Sequence, residues 1–219
     1  MKHDLIPDVV IRRLPVYLRT LRQMLAENIS TVSSEELGLR VGVSAAQIRR
    51  DLSYFGRFGK QGKGYYVGHL EEAVTRILHL DRQWDAALVG FGHLGQAIAQ
   101  YHGFAPNSFH ISAIFARNPE HVGQQVKGVV VLDQRSITQV VQEMGISIGI
   151  IAVPASSAQD VADRLIEGGV RAILNYAPVI LRIPDDVWTR EIDPTSALQS
   201  LTYYLSSTRP VESSERDHG

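Results

Sequence analysis

Cysteine is absent from the 219 residues. Structural disulfides, thiolate zinc sites and thiol switches are thereby excluded. Any response of this chain to redox conditions must be carried by a bound ligand. No run of roughly 18 apolar residues is present that could cross a membrane as a helix. The N-terminus also lacks the basic, apolar, small-residue order of a signal peptide. The expectation is a cytoplasmic chain with no membrane partner. The eight histidines stand at no spacing with Asp or Glu that makes a metal site. Neither a Gly-x-Ser-x-Gly elbow nor a pair of acid–base carboxylates occurs, so no catalytic residue is assigned and no enzyme is expected.

What is present is a globular composition, 44% hydrophobic and 21% charged, able to bury a sizeable core. The length suits one large domain or two ordinary ones. The net charge of −1 hides an asymmetry. Residues 1–80 carry 12 Lys/Arg against 8 Asp/Glu, whereas residues 81–219 carry 10 against 15. A basic module joined to an acidic one points to a polyanion met by the first half alone; ordinary surface variation is the other reading of the charge.

In the first half, Val10, Leu14, Tyr17, Leu18, Leu21 and Leu25 share one helical face, with Pro15 expected to kink or restart the helix. Ser33 and Glu36 make a capping box. Ser44 gives a second cap and opens a helix with Ala45, Ile48, Leu52 and Phe55 inward, ended by Gly56. Two short capped helices around a Gly42 turn read as a helix-turn-helix. The glycine-rich Phe58–Val67 stretch, flanked by aromatic and β-branched residues, predicts a hairpin with a basic tip. This is the winged-helix order. Off the apolar face stand Gln47, Arg49, Arg50, Ser53 and Tyr54, types that read base edges and phosphates. Lys60 and Lys63 on the wing would meet backbone phosphate or a narrow minor groove. Leu70 to Leu80 predicts a short amphipathic helix linking the domains.

From Trp84 the pattern becomes strand–helix alternation. Ala86–Gly90, Phe109–Phe115, Val129–Leu132, Ile146–Val153 and Ala172–Leu174 read as strands. Leu94–Tyr101, Ile137–Met144 and Ala158–Gly168 read as helices. That predicts a mostly parallel α/β sheet covered on both faces. Gly90-Phe91-Gly92-His93-Leu94-Gly95 is G-x-G-x-x-G between a strand and a helix, the setting of a dinucleotide fingerprint. Ala97 beyond it would allow close packing. A merely structural glycine turn is the alternative. The acidic ribose clamp expected after the second strand is missing: Ala116 and Arg117 stand there. Arg117 could pair with a 2′-phosphate, or it lies in solvent while backbone groups hold the adenosine.

Taken together, these segments resemble the Rex family of redox-sensing transcriptional repressors. The strings carrying the resemblance are Arg12-Arg-Leu-Pro-Val-Tyr-Leu-Arg19, Ala46-Gln-Ile-Arg-Arg-Asp-Leu-Ser-Tyr-Phe-Gly56, Gly62-Lys-Gly-Tyr65, Leu88-Val-Gly-Phe-Gly-His-Leu-Gly95, Ile151-Ala-Val-Pro-Ala155 and Ile173-Leu-Asn-Tyr-Ala-Pro178. The resemblance implies a homodimer on double-stranded DNA with a palindromic operator, released when NADH binds. It implies a C-terminal helix exchanged between subunits, here over 195–205; residues 1–80 read as a winged helix, 84–194 as a Rossmann domain and the polar stretch 206–219 as a flexible tail. Val153, Pro154, Asn175 and Tyr176 match the loops at the nicotinamide end. Arg19, Tyr101 and Asp193 match a network that differs between DNA-bound and released states, and Tyr101 is counted with the cofactor site as well. Two positions depart from the family. Ala116 replaces the usual acid, so NAD(H) is the expected cofactor with NADP(H) possible. Pro194 replaces an apolar residue that enters the partner subunit. The rival readings are a DNA-binding paralogue that responds to NADP(H) or to no nucleotide, and a small NAD(P)-dependent dehydrogenase. A dehydrogenase needs a proton donor beside the nicotinamide, where the loops offer Tyr176 and Asn175 but no His or Lys.

Overall fold

The computed structural model describes residues 6–60 and 64–207. Lys63 at the expected wing tip and residues 208–219 of the expected tail lie outside the described residues, as does the side chain of Lys60. The chain divides into two units, Met1–Gln83 and Trp84–Gly219.

The first unit runs α1 (Asp8–Ala26), β1 (Thr31–Val32), α2 (Ser34–Val41), α3 (Ala45–Ser53), β2 (Gly59–Lys60), β3 (Gly64–Tyr66) and α4 (Val67–Ile77). The Ser33 side chain accepts from the Glu36 amide and Ser44 from the Gln47 amide, so the two predicted caps start α2 and α3. Between them Gly42 holds φ +77°, a left-handed conformation that ends α2 at little cost only in glycine. The three short strands form an antiparallel sheet in the order β1-β3-β2. The core gathers Leu14, Leu21 and Met24 of α1, Leu37 of α2, Ile48 and Leu52 of α3, and Leu70 and Val74 of α4. This is a winged helix-turn-helix.

Three expectations change here. The helix carries straight through Pro15. The ring is solvent-facing, and the bond it forfeits is to the carbonyl of Ile11, a residue exposed enough for water to take its place. Instead of reaching Gly56, α3 stops at Ser53. Tyr54 and Phe55 donate to Asp51 and Leu52 three residues back, a tightened last turn, while the Ser53 hydroxyl donates to the Arg50 carbonyl. The Leu70–Leu80 helix starts earlier, at Val67, and is no linker: its apolar face packs into this unit's core.

The second unit runs β4 (Trp84–Val89), α5 (His93–Gln100), β5 (Phe109–Ala116), β6 (Gln125–Val126), β7 (Val129–Asp133), α6 (Ile137–Met144), β8 (Ile148–Ile151), α7 (Ala155–Glu167), β9 (Ala172–Asn175), β10 (Trp188–Glu191) and α8 (Pro194–Ser207). Its sheet order is β10-β9-β8-β4-β5-β7-β6, parallel throughout except for the β6–β7 hairpin. This is a Rossmann arrangement. Strand alternation sorts the side chains. Ala87, Val89, Phe115 and Ile151 join Ile137, Val141, Val161 and Leu165 of α6 and α7 in one layer. Ala86, Leu88, Ile114 and Ile150 join Ile98 and Ala99 of α5 in the other. The strands β1, β6 and β10 carry no apolar alternation long enough to predict them.

Because the sheet is parallel, the segments after β4, β5, β8 and β9 emerge at one edge. β4 and β8 are neighbours there although β5 and β7 intervene in sequence. The chain therefore reverses its winding at that point, and ligands of such sheets bind in the crevice outside it.

Candidate nucleotide and nucleic-acid sites

The three glycines of the fingerprint differ in what they must avoid. Gly90 holds φ +103°, and a Cβ there would strike the Ala152 carbonyl; its amide donates to the Phe115 carbonyl at 2.9 Å. Gly95 lies so close to the loop that a Cβ would strike the carbonyl of Gly90. It is therefore Gly95, not the exposed Ala97, that lets helix and strand approach. Gly92 is unlike both: a Cβ there meets nothing within 4 Å, and its φ of −75° suits any residue. Neither packing nor backbone conformation calls for glycine at that position.

Gly92 is also the N-cap of α5, and no side chain caps the helix. The first amides of α5 have no intrahelical acceptors, and a helix N-terminus of this kind favours negative charge. His93 and Leu94 are exposed at that end, while Phe91 is buried edge-on against His121, ring centroids 5.5 Å apart.

At the end of β5, Ala116 is buried and Arg117 is exposed, its guanidinium without a partner among the described residues. Sequence reading passed over a carboxylate nearby. Asp133, at the end of β7, stands in register with Ala116. It accepts from the Arg135 amide at 2.8 Å and caps the short turn that follows. Its only sequence signal was an acid directly after the Val129–Leu132 run.

Val153 is half-buried and Pro154 exposed at the start of α7. Asn175 is wholly buried, and its amide is already committed. Its oxygen accepts from the Ala177 amide and its nitrogen donates to the Val179 carbonyl, both at 2.9 Å. Its side chain therefore shapes the loop. Burial, with a smaller contribution from Tyr101, pushes the Tyr176 phenol up. Tyr101 itself follows the last residue of α5, at the end remote from the glycine loop, exposed and edge-on to Phe104. Asp193 accepts from the Thr195 amide at 2.9 Å and caps α8. Pro194 occupies the first helical position, where its missing N–H costs nothing. Arg19 is exposed on α1 without a partner among the described residues.

On α3, Arg50 is exposed and its guanidinium has no partner among the described residues. Arg49 is also exposed but reaches across to Ser34 Oγ at 2.7 Å and Glu35 at 3.4 Å. Ser53 and Tyr54 are exposed at the end of the helix. Gln47 is only partly exposed, and its amide donates to Asp51 Oδ1 at 2.6 Å.

Asp51 is the polar residue that sequence reading missed in this unit. It is wholly buried. Oδ2 accepts from Arg13 Nε at 2.5 Å and Tyr17 Oη at 2.6 Å, and Oδ1 accepts from Arg13 Nη2 at 2.7 Å and the Gln47 amide. Burial alone would lift its pKa, but these bonds outweigh it and hold the carboxyl below its usual range. Burial, then the same carboxylate, pushes the Tyr17 phenol well above its ordinary value.

A winged helix-turn-helix carried on one chain with a Rossmann unit is the architecture of a ligand-responsive transcription regulator. A family model for CoA binding domains matches residues 81–179, and a model for the N-terminus of DNA-binding proteins matches residues 5–53. The chain is 54% identical over 200 residues to the redox-sensing transcriptional repressor Rex of Roseiflexus sp. (strain RS-1), covering 91% of each protein. It is 56% identical over 205 residues to the Rex repressor of Chloroflexus aggregans, covering 94% of this chain and 97% of that one. A crystal structure of RSP in complex with β-NAD+ and operator DNA matches with TM-score 0.89 and 39% identity, over 93% of this chain and 94% of that one. RSP in complex with β-NADH matches with TM-score 0.85 and 37% identity, over 93% and 95%. The chain belongs to the Rex family of redox-sensing transcriptional repressors.

Proposed function

We propose that this chain represses transcription by binding operator DNA as a homodimer and lets the operator go when NADH binds. The observation that carries the nucleotide half is the division of labour among the three glycines. Gly90 and Gly95 are needed by the fold, while the space beside Gly92 and the uncapped α5 suits a pyrophosphate. In this reading the Gly90–Gly95 loop holds the phosphates, Ala116 and Arg117 lie at the adenosine ribose, and Val153, Pro154 and Tyr176 border the nicotinamide. The bound group contributes one property, the difference of one hydride in ring charge and shape. No His or Lys stands on the Val153–Pro154 or Asn175–Pro178 segments to move a proton, which favours a sensor over a dehydrogenase.

The dimer half is supported by α8, which exposes Leu198, Leu201, Tyr203, Tyr204 and Leu205; such an apolar helix suits exchange with a second subunit. Release requires that the reduced nucleotide bind the DNA-incompetent dimer better than the competent one. Shifting the dimer from about 1:99 to 99:1 takes roughly 5.5 kcal/mol, shared over two sites. Arg19, Tyr101 and Asp193 are proposed to change partners between the two geometries. The test is a titration of operator binding against NAD+, NADH, NADP+, NADPH and coenzyme A separately. Release by NADH but not by NAD+ or coenzyme A supports the reading, whereas indifference to all five overturns it.

Because Arg50 on the proposed recognition helix has no partner among the described residues, Arg50→Ala should weaken operator binding by about 1–3 kcal/mol. Arg49→Ala should cost less, because Arg49 must give up Ser34 and Glu35 to reach DNA. Anisotropy titrations check both, and an Arg50→Ala protein with full affinity would remove α3 from the interface. Ala116 carries no charge to repel a 2′-phosphate, and Arg117 beside it has no partner among the described residues, so a charge-assisted bond to the phosphate would contribute about 1–2 kcal/mol near solvent. Discrimination between NADH and NADPH should therefore be weak, Ala116→Asp should restore it, and Arg117→Ala should selectively weaken NADPH. Calorimetry showing more than about a hundredfold preference for NADH in the unmodified protein, roughly 2.7 kcal/mol, would refute it.

A further inference from the structure

The carboxylate of Asp51 is saturated. Each oxygen accepts two hydrogen bonds, one of them from each arm of a forked Arg13 contact, which fills all four lone-pair positions a carboxylate offers. Arg13 and Tyr17 sit one turn apart on α1, Gln47 and Asp51 one turn apart on α3. Arg13 and Tyr17 tie α3 to two successive turns of α1, so the network resists both rolling of α3 about its axis and sliding along α1, while the Gln47 bond lies within α3 and holds the carboxylate in the orientation that receives them. The apolar contacts of α3, Ile48 and Leu52, are non-directional and would tolerate either motion. Nor does stability require the arrangement, because a buried ion pair can usually be replaced by apolar residues of similar volume at no loss.

We infer that Arg13, Tyr17, Gln47 and Asp51 form a positioning lock that fixes the angle at which α3 presents Arg50 to DNA, and that Gln47 is part of this lock instead of a base reader. The inference rests on α3 being the recognition helix. The lock acts on specific readout and leaves general phosphate attraction untouched. Base edges are read only by side chains in register with the groove, whereas non-specific affinity depends on charge near the backbone. Among the described residues, none of the four is offered outward as a free group: Asp51 and Tyr17 are buried, and the polar ends of Arg13 and Gln47 are spent on Asp51.

The test uses the full chain, a duplex selected by the unmodified protein from a randomised pool, and an unrelated duplex of equal length. The triple variant Arg13→Met/Tyr17→Phe/Asp51→Leu replaces the lock by apolar volume. It should melt close to the unmodified protein, lose about tenfold or more in affinity for the selected duplex, and keep its affinity for the unrelated duplex within about threefold. A folded triple variant that retains the ratio of the two affinities overturns the inference. Should it fail to fold, Tyr17→Phe, which leaves the Arg13–Asp51 pair in place at a buried position, decides the matter. A ratio lowered about two- to fivefold supports the lock, and an unchanged ratio sinks it. Arg50→Ala runs alongside. If Arg50→Ala lowers specific affinity while the lock variants do not, the lock alone fails; if neither does, the recognition-helix reading fails with it.

Discussion

Gly92→Val should abolish dinucleotide binding, by more than about a hundredfold or 2.7 kcal/mol, in a protein that remains folded. The two halves of that expectation come from one observation. A Cβ at Gly92 meets no atom within 4 Å, and the backbone there, at φ −75° and ψ −170°, is extended, a conformation β-branched residues favour. Folding therefore has no reason to resist valine. The nucleotide does, because two methyl groups would occupy the approach to the α5 amides where a pyrophosphate must come within hydrogen-bonding distance. Gly90→Val or Gly95→Val would be poor tests, since either collides with backbone and would confuse loss of site with loss of fold. DNA binding without nucleotide should survive in Gly92→Val, while release by NADH should vanish. Calorimetry showing unchanged nucleotide affinity in the folded variant would move the site elsewhere.

The second large effect is on stability. Asp51→Ala should destabilise the first unit by about 3–5 kcal/mol, because it strands a part-buried guanidinium and a buried phenol at once. For a domain of this size each kcal/mol costs about 4–8 °C in Tm, so the unit should melt far below the unmodified protein. The apolar triple variant differs in kind, because removing one partner leaves the others unsatisfied while removing the whole network does not. The same carboxylate gives a pH dependence whose sign is fixed. Its pKa in the folded protein lies below its ordinary value, so its contribution is complete above the unfolded value of about 3.9. It is lost as pH falls through the lower, folded value. Thermal melts taken downward through the acid range should show this loss, and Asp51→Asn should flatten it. A melting temperature of Asp51→Ala within a few degrees of the unmodified protein would mean that Arg13 and Tyr17 find other partners.

The legible parts of this chain are those written in short spacings. Ser33 with Glu36 and Ser44 with Gln47 announce two helices through bonds made within three residues. The apolar run ending at Val89 followed by Gly90-x-Gly-x-x-Gly95 announces strand, turn and helix in order. Pro15 misled because a proline's effect depends on which side of the helix loses its bond. Its ring and the carbonyl it strands face solvent, a fact of packing invisible in the local sequence. Phe55 misled similarly: it continues the helical spacing, yet the helix tightens and stops two residues earlier.

By itself, then, the sequence determined the two-domain order, the helix starts, the glycine loop and the missing acid at Ala116, since each is a matter of neighbours along the chain. Only the tertiary structure decided which glycine is free and which are required, because that depends on how closely the segment after β8 and the start of α5 approach the loop. It also decided that Asn175 is spent on its own loop and that Gln47 faces inward to Asp51. And it brought Asp51 to Arg13 and Tyr17, residues 38 and 34 positions away. Whether a charge is buried, and by what it is satisfied, is settled when distant helices close on one another, and no local spacing encodes it.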